Sequence, residues 1–329
     1  MRLGILLTFC ACAPLAVAQS ADQAAAAAER SLDRPAVLIV PFPPGGSADR
    51  VAKVLAASLG TALQRPVATR YVAAGAGTEA LKQVAQPGDG EVRLGYATST
   101  TVVAGSLLGG AAAYNPINDF DWIGIVGTFG NAVIVGPAET APTFDAWMKS
   151  LPARTRPLRA GVGAVGAMST LAAQFLAGKL GVPAEYLIVN RADEGYALLS
   201  AGQIDVLFDG LPNAMEEAPR ARGRIIAVTS ARRATPLPDV PSFGEPWPGA
   251  DFSLFVALVI AKAESDAARA RARSGWHEVN RAGAARAQLE AMGLRYLGVE
   301  QPAAARFIDD EYVRHARLLS EFPQLPQRP

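Results

Sequence analysis

Unbroken apolar runs alternate along this chain with glycine-rich turns and with apolar positions at helical spacing. Ala36-Val37-Leu38-Ile39-Val40 is continuous, rich in branched side chains and closed by Pro41. That is the pattern of a strand buried on both faces, as in a parallel sheet. The segment from Pro41 to Ser47 reads as a turn, and Ser47 as the cap of a helix from about Ala48 to Leu63. Val51, Val54, Leu55, Leu59 and Leu63 share one face of that helix. The unit recurs. Strand-like 67–72 leads through Gly75-Ala76-Gly77 to a helix from Glu79; 92–96 leads into Ala97 to Thr101 and a helical stretch. Strand-like 158–162 leads through Gly163 to Gly166 into a helix ending near Leu180, and 187–189 into a helix to about Ala201. A further strand, 206–208, ends at Asp209-Gly210. Repeated units of this kind predict an α/β fold with mostly parallel strands.

Two apolar stretches, 131–135 and 252–260, lack the glycine turn and capped helix, and they are read as strands crossing between two lobes. Single cores stop growing at roughly 250–300 residues, which also favours two lobes. The expected division is 34–133 plus 256–329 for lobe one and 134–255 for lobe two. The segment from Ala263 to Ser320 reads as mainly helical.

The amino terminus changes the picture. Met1-Arg2, an apolar run from Leu3 to Ala13, and Ala16-Val17-Ala18 form the three regions of a cleavable signal peptide over 1–18. A buried amino-terminal helix and lipidation at Cys12 are the competing readings. Residues 19–33 are polar and Ala-rich, a leader without a predicted fold. Cleavage after Ala18 removes both cysteines, so no disulfide, thiol nucleophile or thiolate ligand is expected. It also removes Arg2, one of 31 basic residues against 30 acids, and leaves a balanced charge. Such a chain has no basic field for nucleic acid or an anionic membrane.

Open α/β sheets bind ligands at the carboxyl ends of their strands, where helix N-termini present unpaired N–H groups and a partial positive charge. The loops 43–49 and 163–169 are the best-placed anion half-sites, one per lobe, with Ser47, Thr98, Ser99, Thr100 and Ser169 as hydroxyl donors. Simple helix-capping turns explain any one such loop equally well. Gly161-Val162-Gly163-Ala164-Val165-Gly166 has the form of a dinucleotide fingerprint. The next strand, however, is followed by Asn190-Arg191 instead of the required acid, and Asp193 comes too late. His277 and His315 lie in the helical carboxyl-terminal part, away from the glycine loops. Asp309-Asp310 reads as solvated surface, and Asp209 either faces a cleft or caps a turn. No nucleophile–base pair or metal set emerges, so neither an enzyme nor a resident cofactor or metal is expected.

Five segments in register resemble one family. The run from Leu38 to Asp49 is similar to the opening of the Bug family, the substrate-binding receptors of tripartite tricarboxylate transporters. Tyr114 to Phe120 resembles its Y-[DN]-P-x-x-D-F element and Gly202 to Pro212 its G-Q-[IV]-D segment. Ala227 to Arg233 and Leu237 to Pro241 are similar to two more, so the resemblance spans about 34–321.

The resemblance implies a two-lobed, flytrap-like (type II) periplasmic binding protein, each lobe a mostly parallel sheet flanked by helices, closing on a ligand carboxylate. Carried over, the first-lobe site is Phe42, Pro44, Gly45, Ser47, Ala48 and Asp49. The second-lobe loop runs from Gly163 and Ala164 through Gly166, Ala167 and Ser169 to Thr170. Departures from the family pattern are Ala48 and Ala167 in place of hydroxyl residues, Thr170 in place of histidine, and Asp193-Glu194 in a loop that is usually neutral or basic. Acids there favour a monocarboxylate, or an amino- or amide-bearing acid, over citrate. The expected protein is a monomer that partners with membrane transporter subunits. A sensor that signals to a membrane kinase, and a degenerate receptor without ligand, are the alternatives.

Overall fold

The computed structural model describes residues 34–88, 90–104 and 114–322; the expected signal peptide and leader lie outside these residues. In chain order the strands are β1 (Ala36–Val40), β2 (Val67–Tyr71), β3 (Val92–Thr98), β4 (Phe120–Phe129), β5 (Asn131–Val135) and β6 (Leu158–Val162). They continue with β7 (Ala184–Ile188), β8 (Val206–Gly210), β9 (Arg224–Val228), β10 (Leu254–Ala261) and β11 (Arg295–Glu300). The principal helices are α1 (Ser47–Leu63), α2 (Thr78–Ala85), α3 (Phe144–Ser150), α4 (Met168–Leu180) and α5 (Ala192–Ser200). After them come α6 (Leu211–Arg220), α7 (Asp266–Ala282), α8 (Ala284–Ala291) and α9 (Ala303–Glu321).

Two sheets result, ordered β11-β4-β10-β3-β1-β2 and β7-β6-β8-β5-β9. Strand direction is mostly shared within each. β1, β2, β3 and β4 run one way, against β10 and β11. In the second sheet only β5 opposes the rest. The two strands without a following glycine turn, β5 and β10, are thus the ones inserted antiparallel into the middle of their sheets.

The chain leaves the first sheet at Gly130, the single residue between β4 and β5. A boundary at 133/134 would cut β5, which lies wholly in the second sheet, and the return to the first sheet begins at Leu254, not at residue 256. The two crossings are stitched together. The Asn131 N–H donates to Thr229 Oγ1 (2.9 Å), Thr229 N–H to the Asn131 carbonyl (2.9 Å) and Phe252 N–H to the Thr229 carbonyl (2.9 Å).

β1 is buried on both faces, as its unbroken apolar run requires. Leu38 and Val40 pack with α1, α7 and α8, whereas Val37 and Ile39 face a second core. That second core continues through both lobes. It passes from α2 and α9 to Phe243, Phe252 and the inner faces of α3 and α4. Ring contacts Phe175–Phe252 (5.0 Å) and Phe252–Phe322 (6.3 Å) mark the passage. Burying such rings stabilises by about 1.5–3 kcal/mol each, so this side of the interlobe junction is held by packing. β7 begins three residues before the sequence suggested, because it is an edge strand whose Glu185 faces solvent and breaks the apolar pattern.

Candidate functional site

A cavity of about 530 Å³ opens between the sheets, at the carboxyl ends of β1, β3, β6 and β8. Four helices, α1, α4, α5 and α6, begin on its wall; the start of α6 at Gly210 is already occupied, since Leu211 N–H donates to the Gly130 carbonyl and Asn213 N–H to Ser47 Oγ. The N-cap residues of the other three, Gly46, Ala167 and Arg191, all line the cavity, and none of these three ends carries a side-chain cap. First-turn amides and the positive ends of the helix dipoles therefore face one space from both lobes. In α5 the acids Asp193 and Glu194 occupy the first turn and offset part of that field.

The first-lobe loop is held from behind. Asp49 is buried, and its carboxylate accepts hydrogen bonds from Gly45 N–H (2.9 Å), Lys53 Nζ (2.9 Å) and the Tyr71 hydroxyl (2.6 Å). Burial alone would push the Asp49 carboxyl up; the bonds from Tyr71, Lys53 and Gly45 outweigh it and hold the group below the ordinary carboxylate value. Gly77, at φ +87°, lets β1's exit pass close behind, since a Cβ there would strike the Pro41 carbonyl and ring. Ser47 does not cap α1 as its position suggested. Its hydroxyl donates to the Gly210 carbonyl (3.0 Å) and accepts from Asn213 N–H (3.1 Å), both in the other lobe.

The second-lobe loop is folded by its own hydroxyls. Ser169 Oγ accepts from Gly163 N–H (3.1 Å), and Thr170 Oγ1 lies within bonding distance of the carbonyls of Gly163 (3.2 Å) and Ala164 (2.9 Å). The Gly166 carbonyl accepts from His315 Nε2–H (3.0 Å), which reaches it from α9 of the first lobe. His315 is fully buried. Burial pushes its imidazole down to about 4, against the Gly166 hydrogen bond, which alone would raise it.

The residues singled out by sequence divide into two groups. Phe42, Pro44, Ser47 and Ala48 line the cavity from the first-lobe loop, with Thr98 and Thr100 from the end of β3. Gly163, Ala164, Ala167, Ser169 and Asp209 line it from the second lobe. Gly45, Asp49, Ser99, Gly166, Thr170 and Asp193 are not on its surface. Gly45, Asp49, Gly166 and Thr170 shape the loops, as described, and Ser99 Oγ accepts from Phe255 N–H (3.0 Å). Asp193 is exposed and paired with Arg191 (2.7 Å). It is Arg191, not the acid, that reaches the wall, and among the described lining residues it is the one cation.

Sequence reasoning missed Tyr96, Phe129, Asn131 and Leu254, which also line the cavity. The three apolar or aromatic positions read as core, and Asn131 reads as the polar start of a crossing strand. Asp209 is tied down by Tyr196 Oη–H (2.8 Å), Asn213 Nδ2 (2.6 Å) and Gly210 N–H (2.8 Å). Burial pushes its carboxyl up against those bonds. Among the described residues no group of His, Cys, Asp and Glu is arranged to hold a metal ion, and no helix is long and apolar enough to cross a membrane.

The family described as Tripartite tricarboxylate transporter family receptor (TctC) matches residues 51–323, most of the chain. This chain belongs to that family. The receptor is 26% identical to Protein BugT of Bordetella pertussis over 244 residues, 74% of this chain and 73% of BugT. Its fold is similar to that of an R. palustris protein determined with adipate, with TM-score 0.80 and 21% identity over 90% of this chain and 99% of the other. It is similar also to periplasmic binding protein BugD, with TM-score 0.77 and 21% identity over 88% and 97% of the two chains. The receptor thus has the two-lobed α/β fold of periplasmic binding proteins.

Proposed function

We propose that this receptor works in the periplasm, captures a small carboxylate between its lobes, and delivers it to the membrane subunits of a tripartite tricarboxylate-type transporter. The observation that carries the reading is the convergence of three helix starts without side-chain caps, from both lobes, on one cavity. A carboxylate placed there accepts backbone hydrogen bonds from each half. Contacts from the second half are gained only on closure, so ligand shifts the balance between open and closed forms. The family match and the adipate-bound structural relative agree with an organic acid as cargo.

Composition of the wall narrows the class. Phe42, Phe129, Val162, Leu207 and Leu254 are apolar, and the single lining cation, Arg191, has a side chain 70% exposed and already paired with Asp193. A second carboxylate on the ligand would be desolvated without a counter-charge, which is costly. The reading is therefore a monocarboxylate with an uncharged body. Thermal unfolding against a library of mono-, di- and tricarboxylates tests it. A true ligand at a hundredfold excess over its dissociation constant stabilises by about 2.7 kcal/mol. Stabilisation by citrate alone, or turnover of any of the acids, would sink the assignment.

A further inference from the structure

The polar side chains on the cavity wall divide by whether their hydrogen-bonding groups are already engaged. The Ser47 hydroxyl bonds to Gly210 and Asn213, Ser169 Oγ accepts from Gly163 N–H, and the Asp209 carboxylate accepts from Tyr196, Asn213 and Gly210. Arg191 is paired with Asp193. Tyr96 and Asn131 touch the space through other atoms, since the Tyr96 hydroxyl and the Asn131 amide nitrogen are sealed away from it. Two side chains stand apart, one from each lobe. Asn190, exposed at the end of β7, and Thr100, just after β3, line the cavity, and neither side chain has a hydrogen-bond partner among the described residues. Their neighbours are bonded inward and hold them there. In the run from Thr98 to Thr101, Thr101 Oγ1 accepts from Thr98 N–H (3.0 Å) and Ser99 Oγ from Phe255 N–H (3.0 Å), which leaves the Thr100 hydroxyl over. Thr100 is 8% exposed, and its hydroxyl, unlike that of Tyr96, is not sealed off. Asn190 stands between Val189, whose N–H donates to the Val162 carbonyl (2.8 Å), and Arg191, whose guanidinium turns to Asp193.

We infer that Asn190 and Thr100 are specificity-determining residues that read an uncharged polar group on the body of the ligand, a carboxamide or a hydroxyl. This rests on the carboxylate-receptor reading and deepens it: the helix starts take the carboxylate, and these two side chains take the rest of the molecule. A primary amide and a hydroxyl each donate and accept, so the group that matches them does both. A carboxamide or a hydroxyl meets that condition. An alkyl group does neither, and a second carboxylate only accepts. The second carboxylate would also be desolvated without a counter-charge, because Arg191 is paired with Asp193. Discrimination comes with closure. In an open cleft water satisfies Asn190 and Thr100; once the lobes close on an apolar body, that water is displaced and nothing replaces its hydrogen bonds.

Calorimetric titration of the whole protein with acids matched in shape tests this: succinamate against isocaproate and succinate, and γ-hydroxybutyrate against valerate. The expected result is that succinamate or γ-hydroxybutyrate binds about tenfold or more tightly than its alkyl counterpart, and more tightly than succinate. In Asn190→Ala and in Thr100→Val that preference should shrink to less than about threefold. Without ligand, Asn190→Ala should unfold at the parent's temperature, because the side chain it removes bonds to nothing in the fold. Equal binding of the matched acids, or a preference that survives both substitutions, overturns the inference while leaving a carboxylate receptor intact. A preference for succinate does the same. A markedly lower unfolding temperature for Asn190→Ala would assign that amide to the fold and also overturn the inference. Failure of all five acids to bind overturns it as well, and failure of every carboxylate in the wider library overturns the receptor reading with it.

Discussion

The Ser47 hydroxyl donates to the Gly210 carbonyl, 3.0 Å away in the opposite lobe, and so joins the first loop of one sheet to the last residue of β8 in the other. The approach is close enough that a Cβ on Gly210 would collide with Ser47 Oγ and crowd Ser47 Cβ at 2.9 Å. Gly210→Ala is therefore expected to wedge the lobes apart. Small-angle scattering should show a larger radius of gyration, and ligand affinity should fall by about tenfold or more, a loss of about 1.4 kcal/mol. Adding Ser47→Gly removes the colliding atoms and should restore the compact form.

Arg50 makes a second tie between the same helices. Its guanidinium donates to Asn213 Oδ1 (3.1 Å) and Glu217 Oε1 (2.8 Å) and also pairs with Glu216. The arginine is only 22% exposed, so the pair is screened less than a free surface bridge. Arg50→Ala should lower stability by about 1–2 kcal/mol in denaturant titration. The difference from the parent should narrow as salt is raised.

Tyr71 supports the first-lobe loop through Asp49. The Asp49 carboxyl is held below its ordinary value, so its contribution to stability is present above about pH 3.8 and is lost as pH falls through the lower folded-state value. Tyr71→Phe deletes one of the bonds that hold it there. The expected cost at neutral pH is about 1–3 kcal/mol, with a smaller further loss on acidification than the parent shows. Urea unfolding at neutral and acid pH measures both.

His315 gives the opposite loop a pH dependence of its own. The imidazole's folded value of about 4 lies below the ordinary 6.5, and its Nδ1 is buried with no acceptor for a second proton among the described residues. Unfolded chains therefore bind the proton first. Stability from this residue is full above about pH 6.5 and declines as pH falls from there toward 4, by up to about 3 kcal/mol. His315→Gln retains an N–H for Gly166 without a titrating ring, and its stability should stay flat across that window.

Asp193 neutralises Arg191, the one cation among the described residues of the cavity wall. Asp193→Asn should release the Arg191 guanidinium and tighten carboxylate binding a few-fold at low salt. The gain should vanish at high ionic strength. A loss of affinity would instead place Asp193 in contact with the ligand.

β1 was legible in the sequence as an unbroken apolar run, whereas β4, almost wholly buried, was not, because Asp121, Gly124 and Gly127 interrupt its apolar pattern. β3 and β6 were legible despite one half-buried arginine each, and the loops after β1, β3 and β6 all reach the cavity. β7 was misplaced because an edge strand alternates and carries Glu185 outward. In the cleft, local chemistry predicted the glycine loops but not what their side chains do. Ser47 satisfies the pattern of a helix cap, yet its partner is 163 residues away, a contact no local rule contains. Asp193 stood in a loop that reaches the cleft, but Arg191 two residues earlier pairs with it at the rim. Tyr96 and Asn131 were silent for a different reason. A tyrosine in an apolar strand and an asparagine at a strand's start have ordinary structural uses, and nothing local marks either as part of the cavity wall.

The seat of the second-lobe loop has a consequence for how the molecule matures. The imidazole under Gly166 belongs to α9, 149 residues further along the chain. A nascent polypeptide that has already made both glycine loops still lacks the piece that fixes one of them. The second-lobe half of the grip thus waits for α9, and chains shortened before α9 should emerge with that half unformed.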